Sequence, residues 1–373
     1  MEVDTVLVKV ASRCNINCSY CYVYNMGDDG WKDMPALMSQ ETIEALSSAL
    51  KTLCSDQSTP FATVLHGGEP LMMGARRLAY LLSKLRGVLP LTHPLCIQTN
   101  GTLITDEILD TCAAHHVAIS ISIDGPKPVN DKFRIGHKGE STFEKLVAGI
   151  DRLRNHPKAT QLYSGLLAVI DPLSDPAEVY WFLKKLGAPS VDFLHRDGNH
   201  SNLPFGKESF ESVEYGTWLS ELFDTYLSDT SPIKIRFLDD LMKISMGGRG
   251  VKEGIGQKSY GILIVETDGA LTKNDTLKSS FDGADKFETH WNVRNDQLSK
   301  IVKTEEFSKY HRLQVPSAIQ CKTCPQLASC GGGMPLHRWH DKNGYDNPSV
   351  YCNDQKYLIQ KINTRLKEEG VIS

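Results

Sequence analysis

The sequence predicts an α/β protein: a partial (β/α)6 barrel of the TIM type, followed by a smaller module that carries cysteines. Three observations lead to this. Short apolar runs alternate with helical periodicities as far as about residue 200, the pattern of parallel βαβ units. The alternation then stops, and two further helical stretches lead to the glycine-rich segment 247–256. Beyond it lie a short hairpin pattern and a second set of cysteines.

Taken in order, strands are predicted at Val6–Ala11, Ala62–His66, Leu95–Thr99, Val117–Asp124, Leu162–Ile170 and Ser190–His195. Helices are predicted between them at Ser39–Leu53, Gly74–Arg86, Thr105–His115, Thr142–Arg154 and Asp175–Leu186. Glu208–Leu227 and Ile233–Met246 read as helices outside the alternation, and Gly247–Gly256 as a loop or hinge. Ile262–Thr267, an Asp268-Gly269 turn and Ala270–Thr272 suggest a hairpin, and a last helix runs from Asp354 to Glu369. The expected division is a barrel over 1–207, a helical bridge over 208–259 and the cysteine module over 260–373. Active sites on such barrels collect where strands end, so the loops after each strand are the ones to read.

Composition narrows the function. The chain has 373 residues, 40% of them hydrophobic, enough to bury a sizeable core. Its net charge of -4 gives no electrostatic reason to expect nucleic acid or an anionic membrane as partner. No run approaches the roughly 20 apolar residues a bilayer requires. Met1–Ala11 carries Glu2, Asp4 and Lys9 and reads as a first strand, not a signal peptide. A cytoplasmic location is therefore expected, and ten cysteines there point to metal or redox use before disulfides.

Cys14, Cys18 and Cys21 lie in the loop after the first strand. Thiolates bind soft metals and iron–sulfur clusters, and three of them leave one iron of a four-iron cluster open for chemistry. A zinc site completed by a remote ligand such as His66, or plain buried thiols, are the alternatives. Tyr20 and Tyr22 flank Cys21 with aromatic surface suited to an adenine. After the second strand come Gly67-Gly68-Glu69-Pro70, where paired glycines allow close backbone approach and Glu69 could hold an ammonium group.

With these residues together, 6–200 resembles the radical S-adenosylmethionine (SAM) core. The resemblance implies that SAM chelates the open iron and is cleaved to a 5'-deoxyadenosyl radical that abstracts a substrate hydrogen, with an external one-electron reductant. It assigns Gly67, Gly68 and Glu69 to the methionine amino group. The further matches Gln98–Thr102, which contains Asn100, and Ser122–Pro126, which contains Asp124, resemble peptide-modifying members such as the anaerobic sulfatase maturases. That likeness places Ser122 at the ribose and Arg134 at the methionine carboxylate. A strand-ending turn at Asp124 and a surface charge at Arg134 are the plainer alternatives.

Cys321, Cys324, Cys330 and Cys352 supply four thiolates, with Gly331–Gly333 giving backbone that can fold against inorganic sulfide. Four ligands close a cluster, which suits electron transfer or support; a four-cysteine zinc site is the alternative. The stretch resembles a SPASM domain that keeps the distal ligands and lacks the proximal ones, so two [4Fe-4S] clusters in all are expected. Cys54, Cys96 and Cys112 sit among apolar neighbours as thiols without chemistry.

The residues from Val265 to Asp275, with Gly331–Gly333, His337–Trp339 and Asn347–Cys352, resemble the cyclophane-forming maturases of ribosomally made peptides. This implies a precursor peptide with a Trp, Phe or Tyr, whose ring carbon is joined to the β-carbon two positions on. With strand one starting near Met1, leader binding is expected on the barrel–SPASM surface. Asp275 is the candidate base, since it occupies the place of a catalytic Asp in sulfatase maturases; a loop-capping role is the alternative. His195–Asp197 and His200 are expected in substrate-facing loops, and His337 and Arg338 beside the auxiliary cluster. A formylglycine-generating maturase of the sulfatase type, disfavoured by the missing proximal cysteines, and a non-enzymatic iron–sulfur or zinc sensor are the rival functions.

Overall fold

The computed structural model describes residues 1–372. Their contacts group them into two bodies, one of residues 1–123, 130–166 and 260–310, the other of 124–129, 167–259 and 311 onward.

In the first body the strands β1 (Thr5–Ala11), β2 (Ala62–Gly67), β3 (Leu95–Thr99) and β4 (Val117–Ser122) lie side by side and parallel. Strand β5 (Tyr163–Val169) follows β4 and runs from the first body into the second. Val6, Val8, Leu65, Ile97, Ile119 and Ile121 are buried, as are Leu46 and Leu50 of α1 (Gln40–Asp56) and Leu81 and Leu82 of α2 (Gly74–Arg86). Each such side chain is worth roughly 1.5–3 kcal/mol once fully removed from water. The helices start where the sequence places caps. Ser39 Oγ accepts from Thr42 N at 3.2 Å, and Thr105 Oγ1 from Ile108 N at 3.3 Å at the head of α3 (Asp106–Ala114).

The strand register builds a polar row on the other face. Lys9 pairs with His66 across β1 and β2, and Gln98 with Ser120 across β3 and β4. Polar residues at alternate positions of otherwise apolar strands thus point the same way. The hairpin of β8 (Ile262–Val265) and β9 (Leu271–Thr272) joins this body, with β8 parallel to β1 in the pairing Val8↔Val265. Residues 260–310 therefore group with the barrel strands, whereas the expected division put them with the cysteine module.

In the second body β6 (Ser190–Leu194) pairs parallel with β7 (Lys234–Ile235). Helix α6 (Glu214–Ser228) begins six residues later than the expected Glu208, because Ser209 and Ser212 hold that stretch as a turn, Ser212 Oγ donating to Ser209 O at 2.7 Å. The last helix, α8 (Cys352–Glu368), packs on α6. Their closeness needs Gly216, where a Cβ would lie 2.8 Å from the Asp354 backbone. Asp354 Oδ1 accepts from Gly216 N at 2.9 Å, and Oδ2 pairs with the fully buried Lys207 at 2.7 Å. Breaking a buried pair strands the other charge, at a cost of about 3–5 kcal/mol. Asp354→Asn should therefore lower the denaturant midpoint sharply; a midpoint equal to wild type would show that the pair contributes nothing net.

Candidate functional site

The loop after β1 is tied down at several points. Asn17–Cys18 forms a short antiparallel pair with Arg134–Ile135, Cys18 opposite Arg134. Cys21 N donates to Cys18 O at 2.9 Å, and Asn25 Nδ2 to the same oxygen at 2.8 Å. His137 Nε2 donates to Cys14 O at 2.9 Å, and Asn100 Nδ2 approaches Cys14 Sγ at 3.7 Å. Burial, then the Glu69 carboxylate, pushes the Cys14 thiol up to about 12, and burial pushes Cys21 to about 11. Such thiols gain from a metal that takes over the thiolate charge.

Gly67 and Gly68 lie against this loop. Gly68 N donates to Ala11 O at 2.8 Å and Glu69 N to Arg13 O at 3.0 Å. A Cβ on Gly68 would stand 2.0 Å from Tyr24 Oη and 2.3 Å from Arg13 O, so only glycine fits. The Glu69 carboxylate, 1% exposed, accepts from Leu71 N at 3.0 Å, Thr99 Oγ1 at 2.7 Å and Asn100 N at 2.7 Å. It braces the ends of β2 and β3, and most of its accepting capacity is used there. The backbone of Gly67-Gly68 is then the better partner for an ammonium group than the Glu69 side chain.

Arg134 is buried and donates to Tyr20 Oη at 2.8 Å, so it is not a surface charge. Ser122 Oγ accepts from Gln98 Nε2 at 2.8 Å. Tyr22 is half-buried. Asp124 belongs to the other body, where Oδ1 accepts from Val169 N at 3.1 Å, a structural task.

Asp275 is 2% exposed and forms an ion pair with Lys9 Nζ at 2.7 Å; the same ammonium holds Glu266 at 2.8 Å. The loop cap is made by Asn274, whose Oδ1 accepts from Thr276 N at 3.1 Å, so Asp275 does not serve as cap. Burial lifts the Glu266 carboxyl above its usual range, with Lys9 acting against it. Beside this trio Lys278 pairs with Asp28 at 2.7 Å and Asp285 at 3.5 Å. Lys9, Gly67, Gly68, Glu266, Lys278 and Asp285 line a cavity of about 160 Å³ that Trp31 and Met34 also border. Sequence reasoning passed over Lys9 and Glu266; the signal was a lysine between two valines of a buried strand.

In the second body Cys321, Cys324, Cys330 and Cys352 come together, and after burial each of Cys321 and Cys330 is pushed up most by the Cys352 sulfur. Gly331, Gly332 and Gly333 all take left-handed φ, at 67°, 84° and 69°. A Cβ on Gly331 would meet Gly256 O at 1.9 Å. Among the described residues, no three sulfurs of either set lie within 4.8 Å of one another. His66 joins no such group either. Its pKa falls to about 4 through burial and then the Lys9 charge.

Arg338, 1% exposed, acts on Cys321 and Cys330 through its charge. His337 instead faces Tyr351 at 4.9 Å. His195 is corrected from a substrate-facing to a core residue: it packs 4.5 Å from Tyr351 and 5.6 Å from Phe237, and burial drops its pKa to about 3. His200 Nε2 donates to Pro348 O at 2.7 Å. Burial pushes Asp197 up to about 7, opposed by Arg196.

Residues 8–170 match the Radical SAM superfamily model. The α/β fold with its parallel sheet is that of radical SAM enzymes that carry SPASM-type domains. The chain is 26% identical to a serine-type anaerobic sulfatase-maturating enzyme of Bacteroides thetaiotaomicron, over 96% of this chain and 89% of that one. A cysteine-type enzyme of Clostridium perfringens is 23% identical, with 97% of each chain covered. The solved structure of native anSMEcpe with bound AdoMet superposes at a TM-score of 0.83, 20% identical, over 98% of both chains. Streptococcus suis SuiB superposes at 0.63, 11% identical, over 93% of this chain and 76% of its own.

The expected cofactors, SAM and two [4Fe-4S] clusters, agree with the superfamily match and with a neighbour crystallised with AdoMet. The cyclophane reading is corrected, and the aromatic requirement on the substrate finds no support, because named relatives matched along nearly the whole chain are sulfatase-maturating enzymes. Among the residues behind that reading, Gly331–Gly333 make tight turns, while Glu266 and Asp275 meet at Lys9, and none of these contacts is specific to a crosslink.

Anaerobically reconstituted protein should bind about eight irons, as two four-iron clusters require, and Cys14, Cys18 and Cys21 replaced together by Ala should leave about four. About twelve in the intact chain would refute the two-cluster reading. Gly68→Val should abolish SAM cleavage and, because its side chain would displace Arg13 beside Cys14, also lower iron content; cleavage at the wild-type rate would remove Gly68 from the SAM site.

Proposed function

We propose that the chain is a radical SAM maturase that oxidises the β-carbon of a serine or cysteine side chain in a peptide or protein substrate, the serine product being a formylglycine. Relatives named as serine-type and cysteine-type sulfatase-maturating enzymes, matched along nearly their whole length, support the reaction class. The observation that carries the reading is the buried carboxylate of Asp275, excused from capping, beside a charged cavity walled by Gly67-Gly68.

When bound, SAM and the clusters supply abstraction of one hydrogen atom from the β-carbon and take up one electron. What remains is a proton on the substrate hydroxyl or thiol, and the protein must accept it. The lining of Lys9, Glu266, Lys278 and Asp285 suits a small polar group, with Asp275 one ion pair beyond Lys9. The backbone of Gly67 and Gly68, with Arg134 and Ser122, would hold SAM; Cys14, Cys18 and Cys21 its cluster; and Cys321, Cys324, Cys330 and Cys352 the auxiliary one.

A serine peptide incubated with SAM and a one-electron reductant should lose two hydrogens and form a hydrazone with an aldehyde reagent. A product lacking an aldehyde would reject the reading. Asp275→Asn should still form 5'-deoxyadenosine but yield roughly 10²–10⁴-fold less aldehyde, the usual range for general-base loss. Wild-type yield would show that Asp275 accepts no proton.

A further inference from the structure

The assigned base does not itself line the cavity; of the carboxylates that do, Asp33, Glu266 and Asp285, Glu266 is the one paired with Lys9. The fold makes this pairing unavoidable. Val8 and Val265 are opposite residues on β1 and β8, so the next residues, Lys9 and Glu266, stand side by side. Asp275 follows β9 directly and reaches the same ammonium from the hairpin's return, at 2.7 Å against 2.8 Å for Glu266. Both carboxylates are nearly sealed from solvent, at 4% and 2% exposure, as is Lys9 at 3%.

Two anions on one buried cation leave a net charge of minus one, and Lys278 with Asp28 and Asp285 beside it leaves another, so the site is short of positive charge and favours taking up a proton. We propose that Glu266 is the cavity-facing member of a two-carboxylate proton acceptor, joined to Asp275 by the Lys9 ammonium. In the step, the substrate O–H or S–H bond breaks and an O–H bond forms on Glu266. The Lys9 ammonium keeps its protons and its charge, which Asp275 balances once Glu266 is neutral. The hydrogen atom and the electron leave as described for the reaction, and no other reactant is needed. Lys9 stays charged between the two because burial, which weakens an ammonium, is outweighed by its two carboxylates, and its pKa lies above the usual lysine value.

The other charges facing the trio are accounted for. Lys278 is held between Asp28 and Asp285, Asp33 and Lys286 stand on the cavity wall, and His66 on the far side of Lys9 is kept neutral by burial. Asp285 also comes within 4.8 Å of the Glu266 and Asp275 carboxylates, but of these three only Glu266 and Asp275 pair with the Lys9 ammonium.

The test is a double-mutant cycle on the full, cluster-loaded chain, with aldehyde yield per 5'-deoxyadenosine as readout; this arm rests on the proposed oxidation. Glu266→Gln and Asp275→Asn each leave Lys9 one counter-charge, so both should fold. Each should lower the yield by roughly 10²-fold or more, and the double variant should be no worse than the worse single, as for groups acting as a unit. A wild-type yield in Glu266→Gln, or additive losses, would overturn the proposal. A second arm needs no substrate: infrared titration of the protonated-carboxyl band. Glu266→Gln should remove the Glu266 band, and Asp275→Asn should move it to lower pH, since Glu266 then has the ammonium to itself. A Glu266 band that Asp275→Asn leaves in place would show independent groups. Should wild type make no aldehyde at all, the oxidation reading falls, while the infrared arm still decides the proton pair.

Discussion

A lysine ammonium sealed from water needs a counter-charge within reach, and Lys9 has two. That requirement ties together segments far apart in the chain. The hairpin at 262–272 must lie beside β1, in the register that sets Val8 against Val265, for Glu266 and Asp275 to meet the lysine. Slippage by one residue would turn Lys9 toward the helices and put Val8 or Val10 into the charged cavity. The same register sets His66 level with Lys9 on the other side, so one row of side chains runs from the hairpin to the loop that ends in Gly67-Gly68.

The two cysteine sets are built to different ends. Three thiols on one loop, braced by Asn100, His137 and the Arg134 strand pair, would leave one iron of a four-iron cluster open to a ligand. Four thiols from two segments, beside three left-handed glycines and a buried arginine, would close a cluster completely. On that reading the sets fix what kind of radical chemistry is available. They do not define which product forms, because that depends on the side chain held above the radical and on where its proton goes. Reading a crosslink from residues 260–352 therefore overreached: within that stretch it is Glu266, Lys278 and Asp285, lining the charged cavity next to Gly67-Gly68, that bear on the product more directly than the turns and cysteines.

Much of the architecture was legible from the chain because it is periodic. The alternation of apolar runs and helices, the Ser39 and Thr105 caps and the cysteine spacings are local signals, and local signals survive without neighbours. The start of α6 was misjudged for a local reason too, since Ser209 and Ser212 satisfy backbone groups in a turn that competes with helix.

What the sequence by itself determined is the metal chemistry and the parallel fold: soft ligands at fixed spacing, glycines after a strand and a strand period of two leave few other solutions. Only the tertiary structure decided that Glu69 is a brace, that His195 is core, that Asn274 relieves Asp275 of capping, and that residues 260–310 group with the barrel strands. Each of these turns on a partner that is distant in sequence or on burial that no local window reports. A lone lysine between valines can be seen in the sequence, but its meaning comes from the two carboxylates that folding brings from more than 250 residues away.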